Sequence, residues 1–116
     1  MFEKNMKIAY LLDFYSEVLD EHTREIMRAY YNDDLSLAEI AEDEGISRQG
    51  IRHIVKKGEE QIDFLESHLH IAQMHAELLD AHSRLCDVAS ELEAANAPAH
   101  CIKTLKDITE NLLKGN

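Results

Sequence analysis

Between Ser36 and Gly58 the chain meets a series of local geometric demands, and no other stretch narrows the possible folds as far. Ser36 and Glu39 have the spacing of a capping box: the serine hydroxyl accepts from the Glu39 amide while the Glu39 carboxylate reaches back to the Ser36 amide. The helix opened there is short, because Gly45 suits a turn that needs positive φ. Ala41 is the small residue that two helices crossing at a wide angle need at closest approach. Ile46 is the expected apolar anchor of the turn, and Ser47 caps a second helix starting at Arg48. Ile51, Ile54 and Val55 have the spacing of its buried side, and Leu37 and Ile40 offer the matching side of the first helix. Together these residues predict a helix-turn-helix.

That register leaves Ser47, Arg48, Gln49, Arg52, His53 and Lys56 on the outer face of the second helix, with Lys57 alongside. Arginine can contact guanine edges or phosphates, and glutamine can pair with adenine. Lys56 and Lys57, further along, suit backbone phosphates. Ser47 and the free amides at the helix start also suit a phosphate. Nucleic acid is the favoured partner; a role in protein contacts alone is the alternative.

Charge sharpens this. The chain carries a formal net charge of −11, and an acidic protein is repelled by a phosphate backbone. Yet from Ile46 to Gly58 the charged residues are Arg48, Arg52, Lys56 and Lys57, with no acid, and both flanking segments are acidic. A basic island on an acidic body focuses an anionic partner onto one face.

Elsewhere the pattern is helical throughout. Ile8, Leu11, Leu12, Tyr15, Val18 and Leu19 form one stripe of a helix from Asn5 to Leu19. Asp20 caps a second helix running to about Asn32, with Ile26, Met27, Tyr30 and Tyr31 on its apolar side. Tyr10, Phe14, Tyr15, Tyr30 and Tyr31 are expected to fill the space between these two helices. Gly58 should weaken or bend the helix that starts at Arg48. From Phe64 onward Ile71, Met74, Leu78, Ala81, Leu85, Val88 and Leu92 alternate at steps of three and four, a heptad seam suited to a long partner helix. Ala94 to Pro98 ends it, and Ile102, Leu105, Ile108 and Leu112 mark a last helix from about Ala99 to Leu113. The seam packs either within the monomer or against a second chain. A homodimer is expected, since such modules often pair to read two half-sites, with Ile71, Met74, Leu78, Leu85 and Leu92 as dimerisation residues. The expected division is 1–60, a helix-turn-helix domain with its N-terminal helix, and 61–116, a helical dimerisation or packing region.

Other chemistries find little support. There is no phosphate-cradling glycine loop, no nucleophile elbow and no H-E-x-x-H, so no catalytic residues, no cofactor and no enzyme activity are expected. His68, His75 and His82 lie seven residues apart, about 10.5 Å of rise per step, too far for one ion to touch two of them. His82 and Cys86 could form a pair, but no further ligand is evident, so no metal is expected. Cys86 and Cys101 read as thiols. No run of about 18 apolar residues and no signal peptide is evident, so no membrane insertion and a cytoplasmic location are expected.

Leu35-Ser36-Leu37-Ala38-Glu39-Ile40-Ala41, followed by Gly45-Ile46-Ser47-Arg48-Gln49-Gly50-Ile51-Arg52, resembles the fourth region of bacterial sigma factors, the part that reads the −35 promoter element. That likeness covers roughly Asp20 to Glu60. A closer resemblance covers nearly the whole chain. Glu3-Lys4-Asn5-Met6, Ala9-Tyr10-Leu11-Leu12-Asp13-Phe14-Tyr15 and Tyr30-Tyr31-Asn32-Asp33-Asp34-Leu35 look like the small YlxM-type proteins of Gram-positive bacteria, described as DNA-binding, whose genes lie beside those of the signal recognition particle. The resemblance implies a regulatory or accessory role in co-translational targeting, with particle components as partners and its RNA as a possible ligand. The motif itself favours DNA, because the major groove of A-form RNA is too narrow for a helix. The expected fold is all-α: a sigma-region-4-like helix-turn-helix followed by a C-terminal helical extension.

Overall fold

The computed structural model describes residues 4–114. They form an all-α protein: α1 (Met6–Tyr15), a 3₁₀ turn (Ser16–Val18), α2 (Glu21–Tyr31), α3 (Leu37–Glu44), α4 (Arg48–Leu69), α5 (Ile71–Ala94) and α6 (Ala99–Leu112). The chain divides into two compact units, one ending at Ile71 and the other starting at Ala72.

In the first unit the helix starts follow from short polar side chains. Asn5 Oδ1 accepts from the Lys7 amide at 3.0 Å and Asp20 Oδ1 from the Thr23 amide at 2.9 Å. Ser36 and Glu39 make both bonds of the capping box, each 3.1 Å. α4 is the central element and packs against α1, α2 and α3. Its Ile51, Val55, Gly58 and Ile62 are buried with Ile8, Leu12 and Tyr15 of α1, Ile26 and Met27 of α2, and Ile40 and Ala41 of α3. Ala41 meets the demand for a small residue where α3 and α4 pack.

Several expectations require correction. α1 ends at Tyr15 rather than Leu19, and the chain tightens into a 3₁₀ turn held by Arg24 and Arg28. Arg24 donates to the carbonyls of Ser16 (3.0 Å) and Leu19 (3.1 Å), and Arg28 donates to Ser16 Oγ (3.2 Å). The change of period turns Val18 outward, 55% exposed, while Leu19 stays buried. Tyr10 is 49% exposed and stacks edge-on against Phe14 instead of filling the core. Ile46 is 40% exposed; its amide, not its side chain, secures the turn, donating to the Ala41 carbonyl at 3.2 Å.

α4 continues through Gly58 to Leu69, so the expected division after residue 60 falls inside this helix. A Cβ on Gly58 would sit 2.8 Å from Met27 Sδ. The glycine therefore marks a close approach of α2 and α4 rather than a weak point in a helix. Two tyrosines fix the second half of α4: Tyr31 donates to Glu59, and Tyr15 donates to Glu66 while accepting from the Ile71 amide at 3.1 Å. Burial and the adjacent carboxylate raise the pKa of both phenols. His70 ends α4 in the left-handed region at φ 55°.

In the second unit Asn96, at φ 56°, and Pro98 separate α5 from α6, and Lys106 pairs with Glu93. Ala81, Leu85 and Leu92 of the seam are half-buried, as are Ile102, Leu105 and Leu112 of α6. Thr109 is buried where the spacing suggested Ile108, which is 53% exposed. The Thr109 hydroxyl satisfies itself on the Leu105 carbonyl at 2.8 Å.

Candidate nucleic-acid interface

The start of α4 is set by two local devices. Gly45 adopts φ 71°, ψ 26°, and its amide donates to the Ala41 carbonyl at 2.9 Å, which ends α3. Two residues later Ser47 Oγ accepts from the Gly50 amide at 3.0 Å and opens α4. The Ser47 hydroxyl is thus committed as an acceptor to its own helix and retains its hydrogen for a further partner.

From this start the helical period distributes the expected contact residues. Ser47, Arg48, Gln49, Arg52, His53, Lys56 and Lys57 are all exposed, while Ile51 and Val55 are fully buried. Ser47, Gln49, Gly50, Arg52, His53 and Lys56 line one shallow surface concavity. Among the described residues no ion pair engages Arg48, Lys56 or Lys57. By contrast Arg24 and Arg28 are spent on the α1–α2 turn, and Lys4 pairs with Asp34 and lies 4.8 Å from the Tyr30 ring centroid. The cationic stretch ends abruptly: Gly58 is buried and Glu59 follows, turned to Tyr31.

The surroundings are anionic. α3 carries exposed Glu39, Glu42, Asp43 and Glu44, and Glu44 meets His22 at 2.6 Å. The basic surface is therefore a bounded strip about three turns long, offered by a helix whose opposite side is buried in the core.

A family model described as "Putative helix-turn-helix protein, YlxM / p13 like" (UPF0122) matches residues 2–111. The chain belongs to the UPF0122 family. It is 34% identical to a UPF0122 protein of Clostridium novyi (strain NT), with 97% of both chains covered. It is 38% identical over 96 residues to one of Bacillus thuringiensis (strain Al Hakam), covering 83% of this chain and 87% of the relative. The family description and the geometry of α3, Gly45 and α4 agree on the motif.

The dimerisation residues expected for the seam do not share one environment. Ile71, Met74 and Leu78 are exposed by 44, 56 and 39%, whereas Leu85 and Leu92 are half-buried. Among the described residues no three His, Cys, Asp or Glu side chains are grouped to hold a metal ion, and no helix is long and apolar enough to cross a membrane.

Proposed function

We propose that this protein binds duplex DNA by laying the first three turns of α4 in the major groove, and that it acts as a regulatory protein. The observation that carries this is the exposed set Ser47, Arg48, Gln49, Arg52, His53, Lys56 and Lys57, with four cations and no acid, on the one helix whose buried side packs against α1, α2 and α3. Phosphates supply most of the attraction for such a surface, and base edges supply selectivity. Exposed Ile71, Met74 and Leu78 on α5 support a homodimer that would present two such helices to two half-sites. The YlxM resemblance makes components of the signal recognition particle candidate partners.

The test is a binding titration on duplex DNA at low salt. Arg48→Ala combined with Arg52→Ala should abolish binding while leaving the helical circular dichroism and thermal midpoint near wild type. Unaltered affinity would reject the proposal. The exposed apolar residues of α5 also favour a second possibility, a protein-binding accessory factor of the targeting machinery without a DNA target. Salt separates the two: a phosphate interface weakens steeply as salt rises, an apolar protein interface does not.

A further inference from the structure

An α-helix turns about 100° per residue, so the buried residues of α4 fix the direction of every other side chain. Ile51, Val55, Gly58 and Ile62 define the inward direction. Measured from the opposite, outward direction, His53 lies within about 10° and Gln49 within about 30°. Lys56 and Lys57 lie about 50° to either side. Arg52 is about 90° and Arg48 about 130° away, both on the Lys56 side. Gln49 and His53 are thus central, and the arginines and lysines form the margins of the strip.

When the outward face of a helix meets the floor of a major groove, its two margins meet the two phosphate ribbons. Resting on the DNA-binding function proposed above, we infer that Gln49 and His53 are the base-reading residues, and that the cations clamp the backbone. Arg48, Arg52 and Lys56 would face one strand and Lys57 the other. Glutamine offers paired donor and acceptor atoms that match adenine N7 and N6. Imidazole nitrogens can donate or accept, and both central residues line the concavity beside Gly50. Gly50 adds no side chain there, so a base edge can approach the helix closely. A Cβ at that position would already press on Ser47 Oγ at 3.3 Å.

The experiment is selection from duplexes with a randomised centre, followed by salt titrations on the selected sequence. The full-length protein is compared with Gln49→Ala, His53→Ala, Arg48→Ala and Lys57→Ala. Gln49→Ala and His53→Ala should each erase preference at about one base pair, a loss of roughly ten-fold to a hundred-fold in discrimination, with the salt slope unchanged. Arg48→Ala and Lys57→Ala should each lower the slope by about 0.9 and keep the selected sequence. Preference that follows Arg48 or Lys57 instead, or a wild type that binds duplexes tightly without preference, overturns the assignment while DNA binding stands. A wild type that binds no duplex at low salt defeats DNA binding and the assignment together.

Discussion

Replacing Gly58 by alanine should destabilise the protein, although alanine is the better helix former by about 1 kcal/mol. The added Cβ would lie 2.8 Å from Met27 Sδ and 3.1 Å from Met27 Cγ and Cε. Met27 is fully buried, so its flexible side chain can give way only by shifting against packed neighbours. Overpacking of this kind costs roughly 1–3 kcal/mol, which outweighs the helix gain and leaves a net loss of about 1 kcal/mol. In a unit of this size that lowers the midpoint by roughly 4–8 °C. The decisive comparison is a change of sign. With Met27→Ala, which itself costs about 2–5 kcal/mol, the obstruction is gone and the same Gly58→Ala change should stabilise by about 1 kcal/mol. The pair should therefore show a coupling of about 2 kcal/mol. Should Met27→Ala leave too little folded protein, Met27→Val tests the same contact with a smaller cavity. Urea unfolding followed by tyrosine fluorescence isolates the first unit, because all four tyrosines (Tyr10, Tyr15, Tyr30 and Tyr31) lie within it. Equal stabilisation by Gly58→Ala in both backgrounds would show that Gly58 is merely a poor helix residue, and would refute the close approach.

Ser36→Ala removes half of the α3 capping box and should cost about 1 kcal/mol, read as a lower urea midpoint; an unchanged midpoint would mean that α3 does not depend on its cap. The raised pKa values of Tyr15 and Tyr31 have an alkaline consequence. A phenol that holds its proton more tightly when folded contributes stability fully below the unfolded pKa of about 10, and loses it as pH rises toward the folded value. Stability should therefore fall above about pH 10, and Tyr31→Phe should flatten that fall in alkaline urea titrations; a variant with the wild-type profile would exclude Tyr31 as a cause. His70→Gly should raise the thermal midpoint slightly, since it removes a left-handed penalty of about 1–2 kcal/mol at the price of extra freedom in the unfolded chain. His70→Val should lower it, and the reverse order by circular dichroism would contradict a left-handed His70.

Sequence reading succeeded where the physics is local. The caps at Asp20, Ser36 and Ser47 each involve a side chain and an amide three residues on, and the left-handed turn at Gly45 involves one residue. Helical period alone then placed Gln49, His53, Lys56 and Lys57 on the outward side of α4 and Ile51 and Val55 in the core, while Arg48 and Arg52, also exposed, lie toward one edge rather than on the outer face the register suggested. It failed where structure depends on a distant neighbour. Gly58 looks like a flaw in α4 until Met27, on another helix, occupies the space of its missing side chain. Val18 fits the α1 stripe only if the helix keeps one period; Arg24 and Arg28, bonding to the 3₁₀ turn, hold a different one. Thr109, not Ile108, takes the buried position, and its hydroxyl is satisfied within its own helix, a compensation that hydropathy does not register. The Glu59 and Glu66 carboxylates are each held by a tyrosine from α2 or α1, a pairing with no local sequence signal.

The contrast between a cationic strip and a net charge of −11 makes a prediction about DNA affinity that neither feature makes alone. If Arg48, Arg52, Lys56 and Lys57 each neutralise one phosphate, log K against log salt should have a slope of about −3.6 per bound chain. That slope assumes that only the contacting cations matter. It holds near physiological ionic strength, where the screening length of about 8 Å hides charges beyond the immediate contact. At about 0.01 M the screening length grows to about 30 Å, and the groove then faces the acids as well, including exposed Glu42 and Asp43 on α3, which packs against α4. Affinity should therefore stop rising as salt is lowered, and the plot should bend toward a plateau. Fluorescence anisotropy on a short duplex, from about 0.3 M down to about 0.01 M salt, measures this directly. Glu42→Gln with Asp43→Asn should straighten the curve and raise low-salt affinity while leaving the slope at higher salt unchanged. A straight line in the wild type down to the lowest salt would mean that the acidic body does not oppose binding, and that its charge plays no part in confining DNA to α4.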